Sequence, residues 1–398
     1  MILNRVSGMI EKNKNIVPNR IKQARNSRGL TMIELGERIG VSKQTISQYE
    51  MGKITPTPAI LAKLSIATGY NICFFSKPLP VNNSSNSAVF FRKKKTTRKK
   101  IITAATEKIE IFKEINDYIS EFVDFPELDF PKIEYNNFTD SPLDMDTIEE
   151  YAMLLRKRWN LGLNPISNLM MVVQSKGFNV SKMSFRESKL DAFSVWYDGR
   201  PYIFLSADKL SNARIRFDIA HELGHLLMHS DYYDAEEINK STKLREKLEH
   251  EADSFAGALL MPRATFSSDV YSSSVDHFIN LKLKWLTSIS SMIYRCEHLA
   301  LLSDSQIKYL KNQMTKRGYW YKEPLDTEIP IEEPCALKQA VNLLLEHNII
   351  TPTDFENETG CLRNELEEYC FLPKNTLKDK EKINISLKKK NNILNLYT

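Results

Sequence analysis

The stretch "FDIAHELGHLLMHSD", residues 217–231, decides the fold of the central part of the chain, because its pattern is that of a helix built around a metal ion. His221 and His225 are four positions apart, so an α-helix brings both imidazoles to one face, about 6 Å apart along the axis. Two histidines at this spacing can bind one metal, and Glu222 then lies where it can accept a proton from a water that the metal activates. A match this short also arises by chance, so the rest of the chain must supply a third ligand.

The segment "KLREKLEHEADSFAGALLMP", residues 243–262, supplies acidic candidates for that ligand. Glu249 and Asp253 are four apart on one face of a predicted helix, while Phe255 and Leu259 mark its core side. We expect Glu249 to bind the metal and Asp253 to accept a hydrogen bond from the far nitrogen of a ligand histidine. Two histidines and a carboxylate leave a fourth position open, which is the arrangement of a catalytic zinc site.

Other polar residues near this motif are expected to have lesser roles. Glu251 points away from the metal by helical phase. His229 lies one turn beyond His225, where a straight helix carries it about 6 Å past the metal, so we interpret it as a helix-end histidine. Tyr232 and Tyr233 follow the motif closely in sequence, and on that proximity alone they are candidates to stabilise an oxyanion.

The overall composition is that of a chain with more than one globular domain. Its 398 residues are enough for two or three domains, with 42% hydrophobic and 26% charged residues. No run approaches the roughly 18 apolar residues of a membrane helix, and "MILNRVSGMIEKNKN" lacks the apolar core of a signal peptide. Five scattered cysteines without a CxxC pair indicate reduced thiols, so we expect a cytoplasmic protein that does not enter the membrane.

Charge is divided unevenly along the chain. Residues 1–100 carry 19 Lys+Arg and 4 Asp+Glu, a net charge of +15, and the remaining residues carry 36 and 46, a net charge of −10. A basic first quarter joined to an acidic remainder indicates a nucleic-acid-binding module attached to another function. A solvated basic tail would have the same composition, so the sequence pattern within the first quarter must distinguish such a tail from a nucleic-acid-binding module.

The stretch "RIKQARNSRGLTMIELGERIGVSKQTISQYEMGKITPTPAILAKLSIATGY", residues 20–70, has the pattern of a helix-turn-helix. Thr31 caps one short helix with Glu34 as its capping-box partner, Gly40 makes the turn, and Ser42 caps a second short helix. In this arrangement the start of the second helix enters the major groove of DNA. Ile46 then packs inward, and the side chains expected to face DNA are Lys43, Gln44, Ser47 and Gln48.

This stretch resembles the Cro/repressor-like (Xre) family, in "RGLT", "ELGERIGVS" and "TISQYEMG". The resemblance implies five helices, a dimer and binding to an operator. Arg25 and Glu50 match a pair that forms a structural salt bridge in that family, so we interpret them as scaffold. Met32 departs from the pattern, since many members carry a phosphate-contacting glutamine there. The alternative function is a helical module of the same shape that binds protein.

The remaining segments differ in composition and in periodicity. One helix is predicted over "DTIEEYAMLLRKRWNLG", and a second within "PISNLMMVVQSKGFNV" that ends at Gly177. A hairpin is predicted over "DAFSVWYDGRPYIFLSA", and two or three small helices within 336–373. Residues 78–100 are rich in Pro, Asn and Ser and end in the basic cluster Arg92–Lys100, which is typical of a protease-sensitive linker. The predicted parts are a helix-turn-helix domain (1–77), this linker (78–100), a metal-binding domain (101–325), a C-terminal helical region (326–375) and a mobile tail (376–398).

These patterns predict an α+β, mainly helical fold. A five-helix helix-turn-helix domain would come first. A domain containing the metal helix and a small antiparallel sheet would follow, and a C-terminal helical region would end the chain.

Residues 145–324 resemble the ImmA/IrrE family of metallopeptidases, a gluzincin-like group. The matching segments are "IEEYAMLLRKRWNLGLNPI", "DAFSVW", "RIRFDIAHELGHLLMH" and "EHEADSFAGALLMP". The resemblance implies one zinc ion per chain, bound by His221, His225 and Glu249, with Glu222 as the general base. It also implies limited proteolysis of a repressor that controls a mobile element or a stress response.

Two functions fit this architecture. The first is a DNA-binding regulator fused to a zinc metalloendopeptidase that cuts a repressor, either a partner protein or its own linker, with the substrate paired to the strand "DAFSVW". The second is an Xre-type regulator whose metal domain is a sensor or a dimerisation platform without proteolysis. The intact Glu222 favours the first, because a sensor needs no base. The expected partners are double-stranded operator DNA, the repressor and a second copy of the chain.

Overall fold

A computed structural model describes residues 16–80, 90–91, 99–133, 143–183, 192–208, 211–229 and 241–379. Across these residues the chain is mainly helical, with a small sheet at its centre, so the predicted α+β, mainly helical class is confirmed. None of the described helices combines the length and the apolar character needed to cross a membrane.

Short helices with well-defined caps build the N-terminal part. They are α1 (Pro18–Ser27), α2 (Met32–Ile39), α3 (Lys43–Glu50), α4 (Pro58–Thr68) and a 3-10 helix (Ile72–Ser76). Thr31 and Glu34 form the predicted capping box, and Gly40 ends α2 with a φ of 76°. The fifth of the five expected helices is this short 3-10 helix, and Pro78 disfavours a helical continuation at Lys77.

The central part contains nine helices among the described residues. They are α5 (Lys99–Ser120), α6 (Met145–Arg158), α7 (Leu169–Ser175), α8 (Asn212–Met228), α9 (Thr242–Leu260), α10 (Arg263–Asp269), α11 (Val275–Trp285), α12 (Ile289–His298) and α13 (Asp304–Lys316). The metal motif lies on α8, which packs against the sheet on one side and against α9 on the other. Helix α7 also contacts α8, and α9 packs in turn against α6.

The sheet is mixed. Its strands are β1 (Phe90–Phe91), β2 (Asn179–Met183), β3 (Ala192–Tyr197) and β4 (Arg200–Ser206), in the spatial order β1-β3-β4-β2. Strands β3 and β4 form the predicted hairpin, but β2 pairs in parallel with β4. The prediction of an antiparallel sheet is therefore wrong for β2, which begins two residues after the predicted helix end at Gly177. A short apolar run gives no information on strand direction, because a distant partner determines it.

The two faces of the sheet belong to two different hydrophobic cores. Ile203 and Leu205 contribute to a core that contains α6 to α13. Phe193 and Phe204 point the other way and contribute to a second core, formed with α5 and the N-terminal helices. Because both faces are covered, β4 is almost entirely buried and apolar.

Three C-terminal helices complete the second core. They are α14 (Ala336–Glu346), α15 (Pro352–Thr359) and α16 (Arg363–Tyr369), so the prediction of two or three small helices is confirmed. The polar contacts that hold the N-terminal helices to this part and to α5 include Arg20 with Glu114 (2.7 Å), Arg28 with Glu365 (2.9 Å) and the amide of Asn71 with the carbonyl of Gly360 (2.9 Å). The helix-turn-helix is thus packed against the rest of the chain.

Several predictions concern residues outside the described ranges. Tyr232 and Tyr233 lie there, as do most of the predicted linker, its basic cluster up to Arg98, and residues 380–398 of the predicted tail. Leu377, at the start of that predicted tail, is fully buried. The domain boundaries remain a prediction, because a shared core does not show which segments fold alone.

Candidate metal centre and DNA-binding surface

Helix α8 runs through the core, and its polar motif is buried with it. The side chain of His221 is 1% exposed and that of His225 is 3% exposed. A Cβ on Gly224 would lie 3.1 Å from Cδ1 of Phe255 and 3.3 Å from Cα of Ala252, both on α9. The glycine between the two histidines therefore allows α9 to come close enough to bring its carboxylates to them.

Three side chains converge between α8 and α9. The Nε2 atoms of His221 and His225 are 3.0 Å apart. The carboxylate oxygens of Glu249 lie 3.6 Å from Nε2 of His221 and 3.7 Å from Nε2 of His225. Ligands about 2.0–2.1 Å from a tetrahedral zinc ion are about 3.3 Å from one another, so these three groups fit a zinc ion.

His221 is supported from behind by Asp253. Its Nδ1 lies 2.7 Å from Oδ1 of Asp253, which leaves Nε2 directed at the other donors. Burial disfavours the charged ring, but hydrogen bonds with Asp253 and Glu249 outweigh it and raise the pKa of His221 to about 9. The metal-free ring therefore holds a proton at neutral pH that a metal ion must displace.

His225 is supported by His229, the histidine at the end of α8. Nδ1 of His229 lies 2.9 Å from Nδ1 of His225, and Nε2 of His229 lies 3.1 Å from Oε2 of Glu251. The other oxygen of Glu251 accepts a hydrogen bond of 2.7 Å from the amide of Leu143. Glu251 lies outside the three-donor cluster, as helical phase predicted, yet it contacts the histidine behind that cluster.

Glu222 is fully buried beside this cluster. Its Oε2 accepts a 2.7 Å hydrogen bond from the hydroxyl of Ser194 on β3, while its Oε1 has no hydrogen-bond partner among the described residues. Burial raises the pKa of Glu222 to about 7, although the charge of His221 acts in the opposite direction. A carboxylate with one unpartnered oxygen and this pKa is suited to accept a proton from water. Ser194 could not be identified from the sequence, because alternation along the predicted hairpin strand does not show which face of the strand meets α8.

A cavity of about 520 Å³ borders the same site. It lies between α8, α9, α12 and α13, and its walls include Phe217, His250, Asp253, Tyr294 and Lys311. The side chain of Asp253 is 42% exposed, so the partner of His221 can be reached from solvent. The cavity is large enough for a side chain of a bound peptide.

The four residues expected to face DNA all lie on α3. Lys43 and Gln44, in the first turn, are exposed, while Ser47 and Gln48 are half-buried. Ile46 is fully buried, which fixes the rotation of the helix with that first turn directed outward. Their contact with DNA remains a prediction.

A buried ion pair holds α3 to α1. Nε of Arg25 donates to Oε1 of Glu50 at 2.6 Å, and a second guanidinium nitrogen donates to Oε2 at 3.0 Å. The same guanidinium also donates to the carbonyl of Leu30, at the end of the α1–α2 turn. The pair therefore has the scaffold contacts that the resemblance implies.

Comparison with protein families found two separate matches. Residues 21–75 match the family model described as Helix-turn-helix, and residues 173–297 match the Peptidase M78 model described as IrrE N-terminal-like domain. The second range contains all five residues predicted for the metal site. No curated protein matches the chain. The chain therefore joins a helix-turn-helix region to a region similar to the IrrE N-terminal-like domain, as both resemblances predicted.

Proposed function

We propose that the chain is a DNA-binding transcriptional regulator fused to a zinc-dependent metalloendopeptidase that cuts a repressor protein. The observation that carries the peptidase function is the buried carboxylate of Glu222, with one oxygen unpartnered among the described residues, next to the donors His221, His225 and Glu249. Burying an unpaired acid costs free energy, and a site that only stored metal would not need it.

In the proposed mechanism His221, His225 and Glu249 would hold the zinc ion. A bound zinc ion supplies Lewis-acid chemistry, since it lowers the pKa of water and polarises the peptide carbonyl. Glu222 accepts the proton of the attacking water at Oε1 while Ser194 holds Oε2. Glu222 then delivers that proton to the amine that leaves.

The substrate is proposed to bind in extended form along the edge of β3. In this structure β1 pairs there antiparallel, with Phe90 opposite Ser194 and Phe91 opposite Phe193. Because Ser194 is also the partner of Glu222, a peptide on this edge passes close to the base. Addition of a strand satisfies the backbone of any extended peptide and leaves specificity to its side chains.

The substrate that we favour is a separate repressor. Strand β1 belongs to the segment 78–100, so the chain's own linker is a competing substrate. A cut in that linker alone would not free the helix-turn-helix, because Arg28 with Glu365 and the rest of the second core hold it to the C-terminal helices.

The helix-turn-helix region is proposed to bind double-stranded operator DNA as a homodimer in the cytoplasm. Lys43 and Gln44 are exposed on the first turn of α3, where a recognition helix contacts bases. Glutamine can bind adenine with two hydrogen bonds, and lysine can contact guanine or a phosphate. Ser47 and Gln48 would complete the contact.

The peptidase function is tested by incubating the purified chain with zinc and with each repressor encoded beside it. We expect one cut within an extended segment of one repressor, lost when a chelator removes the metal and restored when zinc is added. Mass spectrometry locates the cut and separates a repressor product from a product of the linker 78–100. If the zinc-loaded chain cut none of these proteins, proteolysis would be rejected.

A second candidate function is a metal sensor without proteolysis, and the shared sheet supports it. Helix α8 packs on one face of this sheet, and the core of the N-terminal helices packs on the other. A change at the metal site could therefore reach the DNA-binding region through packed side chains. Operator affinity measured with and without zinc, in a chain that cuts nothing, distinguishes this function from the first.

A further inference from the structure

The ring of His225 is contacted at both of its nitrogens. Nε2 faces the other donors, 3.0 Å from Nε2 of His221 and 3.7 Å from Oε1 of Glu249. Nδ1 lies 2.9 Å from Nδ1 of His229, whose side chain is only 1% exposed. The group behind this ring is therefore a second buried imidazole.

A metal bound at Nε2 of His225 determines where the protons of this group must lie. A neutral His225 then carries its proton on Nδ1 and donates it to Nδ1 of His229. His229 consequently carries its own proton on Nε2, which lies 3.1 Å from Oε2 of Glu251. In this arrangement His225 donates to His229, and His229 donates to the carboxylate of Glu251.

Glu251 is itself held in place. It is buried, and its Oε1 accepts the amide of Leu143, just before α6 begins. The hydrogen bonds from His225 through His229 and Glu251 to Leu143 thus join α8, α9 and the residues just before α6. Burying a carboxylate and an imidazole costs free energy even when they are paired, and an apolar pair would fill the same space without that cost. The polarity of the pair therefore indicates a role beyond packing.

We propose that His229 and Glu251 are positioning residues that hold His225 in the tautomer and orientation needed to bind metal. This inference rests on the proposed metal site, in which His225 is a ligand. Asp253 gives His221 the same support directly, at 2.7 Å. Each ligand histidine is then backed by a carboxylate, and His229 bridges the longer distance to Glu251.

The test measures the zinc dissociation constant of the full chain by competition with a chromophoric chelator. His229→Leu removes both hydrogen bonds at similar volume and should weaken zinc binding about 10- to 100-fold. His229→Gln keeps an acceptor and a donor, so it should restore a large part of the affinity. Glu251→Gln, which removes the charge and one of the two accepting oxygens, should weaken binding by an intermediate factor. Glu246→Gln, exposed on the same helix, is the matched control and should have no effect.

Unfolding of the metal-free variants in urea separates positioning from a loss of structure. We expect metal-free Glu251→Gln to stay folded, so it tests the inference even if His229→Leu does not fold. Unchanged zinc affinity in folded Glu251→Gln, or equal affinity of His229→Leu and His229→Gln, would overturn the inference. Absence of zinc binding by the wild-type chain would instead overturn the metal site itself, and the inference with it.

Discussion

The recognition helix α3 and the metal helix α8 place their functional side chains in opposite environments. Lys43 and Gln44 are exposed, whereas His221 and His225 are almost fully buried. The caps of α3 come from residues within a few positions, but His221 contacts Asp253, which is 32 residues away in the chain. The candidate DNA-binding surface is therefore a local structure displayed outward, while the candidate metal centre forms only when distant segments have packed. Changes to exposed residues of α3 should spare the fold, and changes around α8 should disturb the site through its neighbours.

The largest expected effect is on the free energy of unfolding, and it concerns the buried ion pair of the N-terminal part. Arg25→Ala leaves Glu50 buried without its partner and should lower the free energy of unfolding by about 3–5 kcal/mol. Urea denaturation of the full chain measures this loss. The exposed Arg38→Ala on α2 is the control and should change it by less than about 0.5 kcal/mol. A loss below 1 kcal/mol for Arg25→Ala would mean that the pair is not a scaffold.

The next effect concerns the ligand that comes from the second helix. Glu249→Ala removes one of three donors and should weaken zinc binding by more than the roughly 100-fold expected for loss of an outer partner. Chelator competition with elemental analysis measures the affinity and the one-to-one stoichiometry. Glu246→Ala on the exposed side of α9 should bind zinc like the wild type. Equal affinities of the two variants would remove Glu249 from the site.

A smaller effect is expected at the DNA-binding surface. Gln44→Ala should cost about 1–3 kcal/mol of binding free energy at one base position and relax specificity there. Because the side chain is exposed, the free energy of unfolding should not change. Binding-site selection followed by gel-shift titration at fixed salt measures the effect. If no preferred sequence emerged for the wild type, the region would bind DNA without specificity or bind protein instead.

The last effect, about tenfold for each pH unit, separates the two regions by pH. The pKa of His221 is raised from 6.5 to about 9 in the metal-free protein, and zinc must displace that proton. Zinc affinity should therefore rise by up to about tenfold per pH unit between pH 6.5 and 9, and level off above. Gln44 carries no titratable group, so its contribution to operator binding should stay constant over this range. A zinc affinity that is flat over the same range would contradict the pairing of His221 with Asp253 and Glu249.

The parts that could be predicted from the sequence are those that depend on neighbours in the chain. The capping box of Thr31 and Glu34, the left-handed Gly40 and the β3–β4 hairpin all depend on residues a few positions apart. The spacing of His221 and His225 belongs to the same class, because helical geometry alone brings them together.

The parts that could not be predicted depend on distant partners. Strand β2 pairs with β4 in parallel, and nothing in its own five residues specifies that partner or direction. The contact of His229 with Glu251 could not be predicted, because Glu251 lies 22 residues away on another helix. The contact of Ser194 with Glu222 likewise requires knowing which face of β3 meets α8. The histidine repeat at positions 221, 225 and 229 was the one visible indication of a longer polar network.

The central claim is that the metal site performs proteolysis, and Glu222→Gln tests it most directly. Glutamine keeps the size of the side chain and can still accept the hydrogen bond from Ser194, but it cannot accept a proton from water at neutral pH. The variant should bind zinc and operator DNA like the wild type while cutting the repressor at least about 100-fold more slowly. The measurement is the rate of repressor cleavage by the two zinc-loaded proteins, with zinc content and operator affinity measured on the same samples. Equal cleavage rates would contradict the assignment of Glu222 as the base, and absence of cleavage by both would leave a regulator that carries a metal site without proteolysis.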